Sequence, residues 1–378
     1  MSNKGHAIAK LYKTQVSLTE WLDNIHHADT EKIRQEENDK LERLRAINTV
    51  IDFPIDDPVQ FNPASELTAD NPRLKELLAT DGDRVCGIRL IPLDPKMPKI
   101  RTRGLTVRDS FEWFNQQKVD RTKYYTEFCS HTENAEWSSF FVVNEHGVSG
   151  EVIRDRMHHL SQGFYDDAKP IVFHFDFKKW QSEPHDDEAI AYMKSIVARL
   201  YVPDVTKQKL LAEKAGAKFV RDYLFGYYEI TEAQAVFGLK LEDYSPGLGE
   251  LYKDFVVRID EPKESKESEA LHGRGASTGI ARGKVKIVQS PDDDFPKGGN
   301  VVLAAKVTTP DLVGLMKKSV AIITDQGGIL SHAAIIAREL GKPCVVDAAN
   351  ATTKLHDDDT VEVNGTTGEV KIISKARE

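Results

Sequence analysis

The sequence predicts an α+β segment over residues 1–260 followed by a compact α/β domain over residues 271–378, and three observations carry that division. A run rich in charge and poor in large apolar groups, Glu261 to Ala270, reads as a solvated hinge linker. Glycine use shifts at the same place: 12 of the 24 glycines lie after residue 270 and 12 before it, although the earlier segment is far longer. Beyond the linker, short runs such as KVKIV, NVVLAA, VAIIT and TVEV alternate with glycine turns and one good helix, which predicts a small β-rich sandwich or barrel.

Taken in order, the first segment opens on helical patterns. Ser17 and Glu20 have capping-box spacing, and Ile33, Leu41, Leu44, Ile47 and Ile51 recur at helical intervals. Arg84 to Leu93, Trp137 to Asn144 and Ile171 to Phe177 read as strands, the second followed by a turn at Glu145, His146 and Gly147. From Asp187 to about Leu241 helical periodicity is expected again, with Thr231 capping a helix that leads towards the linker.

Composition excludes several classes. With 378 residues, 40% apolar and 29% charged, the chain suits a globular protein of two domains. A net charge of −9 leaves no basic surface for nucleic acid or an anionic membrane. Cys86, Cys129 and Cys344 form neither a CxxC pair nor a ligand cluster, so a reduced, cytoplasmic setting and no metal are expected. The amino terminus lacks an apolar core of signal-peptide length, and no stretch approaches the roughly 20 apolar residues of a membrane span. The runs Asp292 to Asp294 and Asp357 to Asp359 read as solvated turns.

One stretch concentrates the chemistry: TDQGGILSHAAIIARELGKPCVV, Thr324 to Val346. Val320 to Ile323 is a short apolar strand run, Asp325 to Gly328 is a turn, Ser331 caps the helix that follows, and Gly341 and Pro343 stop it. His332 therefore sits in a first helical turn, where unpaired N–H groups and the helix dipole favour an anion beside the imidazole. A lone histidine in such a place reads first as a structural residue. Arg338, six residues on, is turned about 240° away at roughly 100° per residue and is given a structural role or a phosphate contact on equal terms. Thr308 and Thr309, ahead of Pro310, cap a neighbouring helix or touch phosphate.

The full string T-D-x-G-G-x-x-S-H-A-A-I-x-A-R-E-L-G-x-P reverses the reading of His332. It resembles the phosphohistidine swivelling domain of the PEP-utilising enzymes: pyruvate phosphate dikinase, phosphoenolpyruvate synthase, rifampin phosphotransferase and the histidine subunit of phenylphosphate synthase. The likeness runs upstream through Gly273, Gly275, Ala276, Thr278, Gly279 and Gly283, and downstream to DDDTVEVNGTTGEV, which reads as a closing hairpin. It covers Leu271 to Glu378. What the resemblance implies is a phosphorylated nucleophile at His332, acting through Nε2, supported by Thr324, Gly327, Gly328, Ser331 and Arg338.

The first 260 residues hold no GxxxxGKS and no GxGxxG after a strand, and they are poor in glycine. The expectation is that ATP and Mg²⁺ sit on a separate ATP-grasp-type polypeptide, with no cofactor firmly held by this chain. Residues 1–260 would then dock or bind a small, hydroxylated or aromatic acceptor. His131, Glu133 and Glu136, and His158 with His159, are the candidate bases there; solvated polar residues describe them equally. Phe111, Trp113, Phe114, Tyr124, Tyr125, Phe128 and Trp137 suit an aromatic pocket, with core packing the simpler reading. Two alternatives stand beside this one: a phosphoenolpyruvate/pyruvate phosphotransferase component, and a non-catalytic module whose binding responds to phosphorylation.

Overall fold

The computed structural model describes residues 18–376, apart from 95–96, 131–134, 164, 166–167, 234–237, 258, 260–269 and 297. The expected linker, except Ala270, lies outside the described residues.

Three helices lead the chain: α1 (Leu18–Ile25), α2 (Thr30–Asn38) and α3 (Lys40–Ile51). A four-stranded antiparallel sheet follows, built from β1 (Val59–Phe61), β2 (Val85–Pro92), β3 (Ile100–Thr106) and β4 (Tyr124–Ser130) in the order β1-β4-β2-β3. Helices α4 (Pro72–Asp81) and α5 (Val107–Gln116) cover one face. Asn71 caps α4 from its side chain with Pro72 at the first position, and Thr106 caps α5. Phe114, Tyr124 and Phe128 are buried in this core and Phe111 and Trp113 pack on it, so packing accounts for these aromatics.

The larger antiparallel sheet comprises β5 (Trp137–Asn144), β6 (Gly147–Ile153), β7 (Ile171–Phe175), β8 (Trp180–Glu183), β9 (Lys218–Val220), β10 (Tyr223–Ala233) and β11 (Gly238–Ser245). Helix α6 (Met157–Gln162) lies between β6 and β7, and α7 (Asp187–Arg199) and α8 (Val205–Ala215) follow β8. Every residue of β5 is buried because alternate side chains feed two cores. Phe141 and Val143 pack towards α7, while Phe140 and Val142 face the carboxy-terminal half.

The helix expected up to Leu241 ends early. Residues 223–233 and 238–245 are strands, and Thr231 is a buried residue of β10 rather than a cap. YLFGYYEI is aromatic-rich, and its alternate side chains fit a pleated, doubly covered sheet better than one helical face. The first half thus holds helices and two antiparallel sheets, consistent with the expected α+β content. Helix α9 (Pro246–Leu251) closes it.

After residue 269, eight strands form one mixed sheet: β12 (Ala270–His272), β13 (Arg274–Ser277), β14 (Ile280–Val288), β15 (Val301–Ala305), β16 (Ala321–Thr324), β17 (Cys344–Val346), β18 (Thr360–Asn364) and β19 (Glu369–Ser374). Their order is β12-β19-β18-β14-β15-β16-β17-β13, with β14 to β17 parallel. The two edge strands, β12 and β13, are separated in sequence by Gly273 alone, so the sheet curls until its edges adjoin. That is barrel-like, not a sandwich. A Cβ at Gly273 would stand 2.5 Å from the Val346 carbonyl oxygen, which explains the glycine at the corner. Helices α10 (Val313–Lys318), α11 (His332–Glu339) and α12 (Ala351–Lys354) accompany the parallel strands, and β18–β19 is the closing hairpin. Asp357 and Asp358 pair with Lys286 and Lys284 at the surface, but Asp359 is buried, accepting the amides of His356 and Ala376.

The two halves share a core. Trp21, Leu22, Phe140, Leu160 and Tyr252 pack in one cluster with Ile329, Leu330, Ala334 and Ile335. Helix α1 lies against both α10 and α11. Burying each large apolar side chain here contributes roughly 1.5–3 kcal/mol.

Candidate functional site

His332 opens α11. Its N-cap, Ser331, donates from its hydroxyl to the Gly328 carbonyl at 2.8 Å and accepts the Ala334 amide at 3.4 Å, which locks the turn against the helix. The imidazole meets the edge of Trp21 at 6.3 Å between ring centroids. Burial pulls the ring down to about 4, against the opposing field of Glu37, so it is neutral at pH 7 and keeps a nucleophilic lone pair.

Buried polar atoms at this junction with no hydrogen-bond partner among the described residues include His332 Nδ1, Thr324 Oγ1 and Trp21 Nε1. Orphan groups of this kind each cost about 1–3 kcal/mol, and they collect where a ligand or water is to come. A cavity of about 10 Å³, the room of one water, lies between Thr324, Gly327, Ser331 and Gly163.

Glycine at two positions, 163 and 328, lets the halves meet, and Gly327 lets the loop close on its own half. Gly163 has φ +68°, and a Cβ there would come within 3.2 Å of Gly328 N and Ser331 Cβ. A Cβ at Gly328 would reach 2.6 Å from Glu151 Oε2. At Gly327 it would stand 3.0 Å from Thr324 Oγ1 and Val346 Cβ.

Glu151 is fully buried on β6 and accepts the Leu330 amide at 3.4 Å. Burial pushes its carboxyl up, with Arg274 and the amides of Ile329 and Leu330 pulling the other way. Arg274 stands 3.9 Å from Glu151 and 3.8 Å from Asp347, and donates to the Pro170 carbonyl at 3.1 Å. The Tyr165 hydroxyl donates to Asp347 at 2.5 Å. Nothing in the local motif announced this network, though a lone carboxylate in the apolar strand GVSGEVI was a signal.

Arg338 donates to the Ile329 carbonyl and lies over the rings of Tyr252 and Phe255 at 4.9 and 4.6 Å, so its guanidinium is engaged in joining the halves. His27 of the first half meets Glu339 at 2.5 Å, and Lys317 donates to the Asn24 carbonyl at 2.6 Å. Thr308 is buried beside the small cavity, while the Thr309 hydroxyl turns to Asp311 rather than to a helical amide.

Of the candidate acceptor residues, His131 and Glu133 lie outside the described residues, as does the side chain of His158. The Glu136 amide pairs with the Glu232 carbonyl at the end of the larger sheet. His159 is buried with Nδ1 3.2 Å from Asp155, a core position rather than an open base. Among the described residues no group of three or more acidic, histidine or cysteine side chains could hold a metal ion, and no helix is long and apolar enough to cross a membrane.

Residues 297–368 match the model of the PEP-utilising enzyme mobile domain. The chain carries the mobile domain of the PEP-utilising enzymes. It is 31% identical over 272 residues, 70% of this chain and 31% of the relative, to an uncharacterized phosphotransferase, YvkC, of Bacillus subtilis. Over 111 residues it is 48% identical to a probable phosphoenolpyruvate synthase of Pyrococcus abyssi, 29% of this chain and 13% of that one. The chain thus spans less than a third of the length of these two relatives. Among solved structures, a D-cycloserine synthetase aligns with 55% of this chain and 61% of its own at 10% identity and a TM-score of 0.30, too slight a likeness to carry an argument. Strands β15 to β18, α11 and His332 lie within the matched residues, and α11 packs with its histidine against α1.

Proposed function

We propose that this chain is a phosphotransferase in which His332 carries the phosphoryl group between two sites. In this reading ATP with Mg²⁺ is held on an ATP-grasp-type partner, residues 271–378 swing on the 261–270 linker, and residues 1–260 hold a small organic acceptor in the cytoplasm. The observation that supports it best is a neutral imidazole in the first turn of a capped helix, beside orphan polar atoms and against a separate half of the chain. A covalent carrier splits one transfer between distant sites into two local steps. In each, the imidazole Nε2 lone pair forms the N–P bond as the P–O bond breaks and its electron pair leaves with oxygen, or the reverse. Glycine at 327 and 328 admits the phosphate, and the first-turn amides of α11 offer it hydrogen bonds.

A second reading makes phosphoenolpyruvate the phosphoryl donor or product; the 48% identity to a probable phosphoenolpyruvate synthase over the mobile domain favours it. Intact-mass measurement separates the two. The chain is incubated with Mg-ATP, alone and with an ATP-grasp partner, and with phosphoenolpyruvate, each against His332→Ala. An acid-labile phosphoryl group gained only with ATP and partner, and only with His332 present, supports the first reading. Gain from phosphoenolpyruvate supports the second, and no gain from any donor overturns both.

A further inference from the structure

The peptide bond between Ile329 and Leu330 is held at both ends. Its carbonyl accepts from the Arg338 guanidinium on α11, and its N–H donates to Glu151 Oε2, 3.4 Å away on β6. One grip thus comes from the histidine's own helix and the other from the first half of the chain. Both side chains of this dipeptide are buried in the core that the halves share. Ser331 follows directly: its N–H and its hydroxyl both donate to the Gly328 carbonyl, at 3.2 and 2.8 Å, and His332 is the next residue. Turning the 329–330 peptide would break both grips and carry the cap, and with it the imidazole, out of place.

The fold alone gives little reason for a carboxylate at position 151. Its neighbours in register are Phe140 on β5 and Val172 on β7, both buried, and Glu151 is itself 1% exposed. An enclosed charge is costly, and an apolar side chain of similar volume in such a place is commonly as stable or more so. Arg274 does not depend on it: the Pro170 carbonyl accepts from Arg274 at 3.1 Å and Asp347 stands at 3.8 Å, against 3.9 Å for Glu151 Oε1. That Oε1 has no hydrogen-bond partner among the described residues. What the carboxylate does through Oε2 is hold the loop of His332, and Gly328 leaves it the room. A carboxylate holds an amide more tightly than a neutral oxygen does, and it reaches this one only while the two halves are together.

We propose that Glu151 is a positioning residue for His332: with Arg338 on the carbonyl and Glu151 on the amide, the 329–330 peptide is fixed so that the imidazole is aimed at this one of the carrier's two stations. The proposal rests on the reading of His332 as a carrier and adds what sets the ring at that station. Away from it, Arg338 holds the peptide alone and the first turn of α11 is free to reorient. Glu151 touches no reacting atom and acts through the backbone that leads to the ring.

The test compares Glu151→Leu, which keeps volume without an acceptor, with Glu151→Gln, which keeps an oxygen in reach of the amide. In the full chain with isotope-labelled histidine, the His332 ring signals are assigned by their loss in His332→Ala and followed by NMR as pH is lowered from neutral. In the unaltered chain the ring should titrate at about 4. In Glu151→Leu the midpoint should rise by about one pH unit or more, because a released ring gains water. Glu151→Gln should leave it unchanged, as should Asp347→Asn, which thins the charges round Arg274 without touching the peptide. The rate at which His332 is phosphorylated is read beside it, with Mg-ATP and a partner or with phosphoenolpyruvate, whichever labels the unaltered chain. That rate should fall about tenfold or more in Glu151→Leu and hold in Glu151→Gln.

An unmoved His332 midpoint in Glu151→Leu overturns the proposal. So does an equal shift in the leucine and glutamine variants, which would trace the effect to charge beside Arg274. If Glu151→Leu does not fold, Glu151→Asp, a methylene too short for the amide, takes its place with the same outcomes. Absence of labelling of the unaltered chain by either donor removes the carrier reading, while the ring titration still decides whether Glu151 positions His332.

Discussion

Glu151 on β6 and Gly328, four residues before His332, meet so closely that a Cβ at residue 328 would come within 2.6 Å of Glu151 Oε2. The loop that leads to the histidine is thus fitted to a buried carboxylate from the other half of the chain. Because Glu151 is enclosed, it cannot swing aside as a surface side chain would. Docking of the mobile domain is written into this contact and can be tested through it.

Gly328→Ala should loosen docking without unfolding either half. Overpacking of this kind costs roughly 1–3 kcal/mol. Limited proteolysis is expected to cut the 261–270 segment faster in the variant, and Glu151→Ala in the same chain should restore part of the protection. Unchanged cleavage would mean that the contact relaxes at no cost.

Trp21→Ala removes the ring that lies edge-on to His332. Loss of a buried tryptophan costs about 3–5 kcal/mol, read as a lower midpoint in urea. Under folded conditions His332 should also be carbethoxylated faster by diethylpyrocarbonate, followed by mass spectrometry. Equal reactivity would place the protecting surface elsewhere.

The pH dependence has a definite sign. The folded pKa of His332 lies at about 4, below its ordinary 6.5, so the docked state disfavours the imidazolium. Its contribution is present in full above about 6.5 and is lost as pH falls towards 4. Glu151 works in the opposite direction: its raised carboxyl pKa gives a contribution present at low pH and lost as pH rises through the folded value. Docking followed by small-angle scattering should therefore weaken on acidification in the Glu151→Gln chain, and that weakening should vanish when His332→Gln is added.

Thr324→Val separates stability from chemistry. The Thr324 hydroxyl is buried without a partner, so replacing it by a methyl group should leave the melting temperature unchanged or raise it. If the hydroxyl serves the phosphate, the same change should slow phosphorylation of His332. A fall in stability with normal labelling would show that the hydroxyl serves the fold.

Ser331→Ala removes a cap whose oxygen both donates to Gly328 and accepts from Ala334. The expected loss is about 0.5–2 kcal/mol by thermal melting. Ser331→Asp, which still caps, should recover most of it; no recovery would assign the serine to the cavity it lines.

The chain by itself determined the strand, turn and capped helix that present His332, because each depends on residues within a few positions: Ser331 for the cap, Gly341 and Pro343 for the stop, alternating apolar runs for the strands. It also determined β5, since WSSFFVVN suits a strand covered on both faces. The helical periodicity expected up to about Leu241 fails from residue 223 on, where the neighbours of the aromatic side chains lie on β5, more than 80 positions earlier in the chain. Only the tertiary structure decided what surrounds the histidine. Trp21, Glu37 and Glu151 come from distant segments, and no local spacing encodes their approach. Their meeting depends on sheet register and on a core shared between the two halves, which are properties of the whole chain's packing.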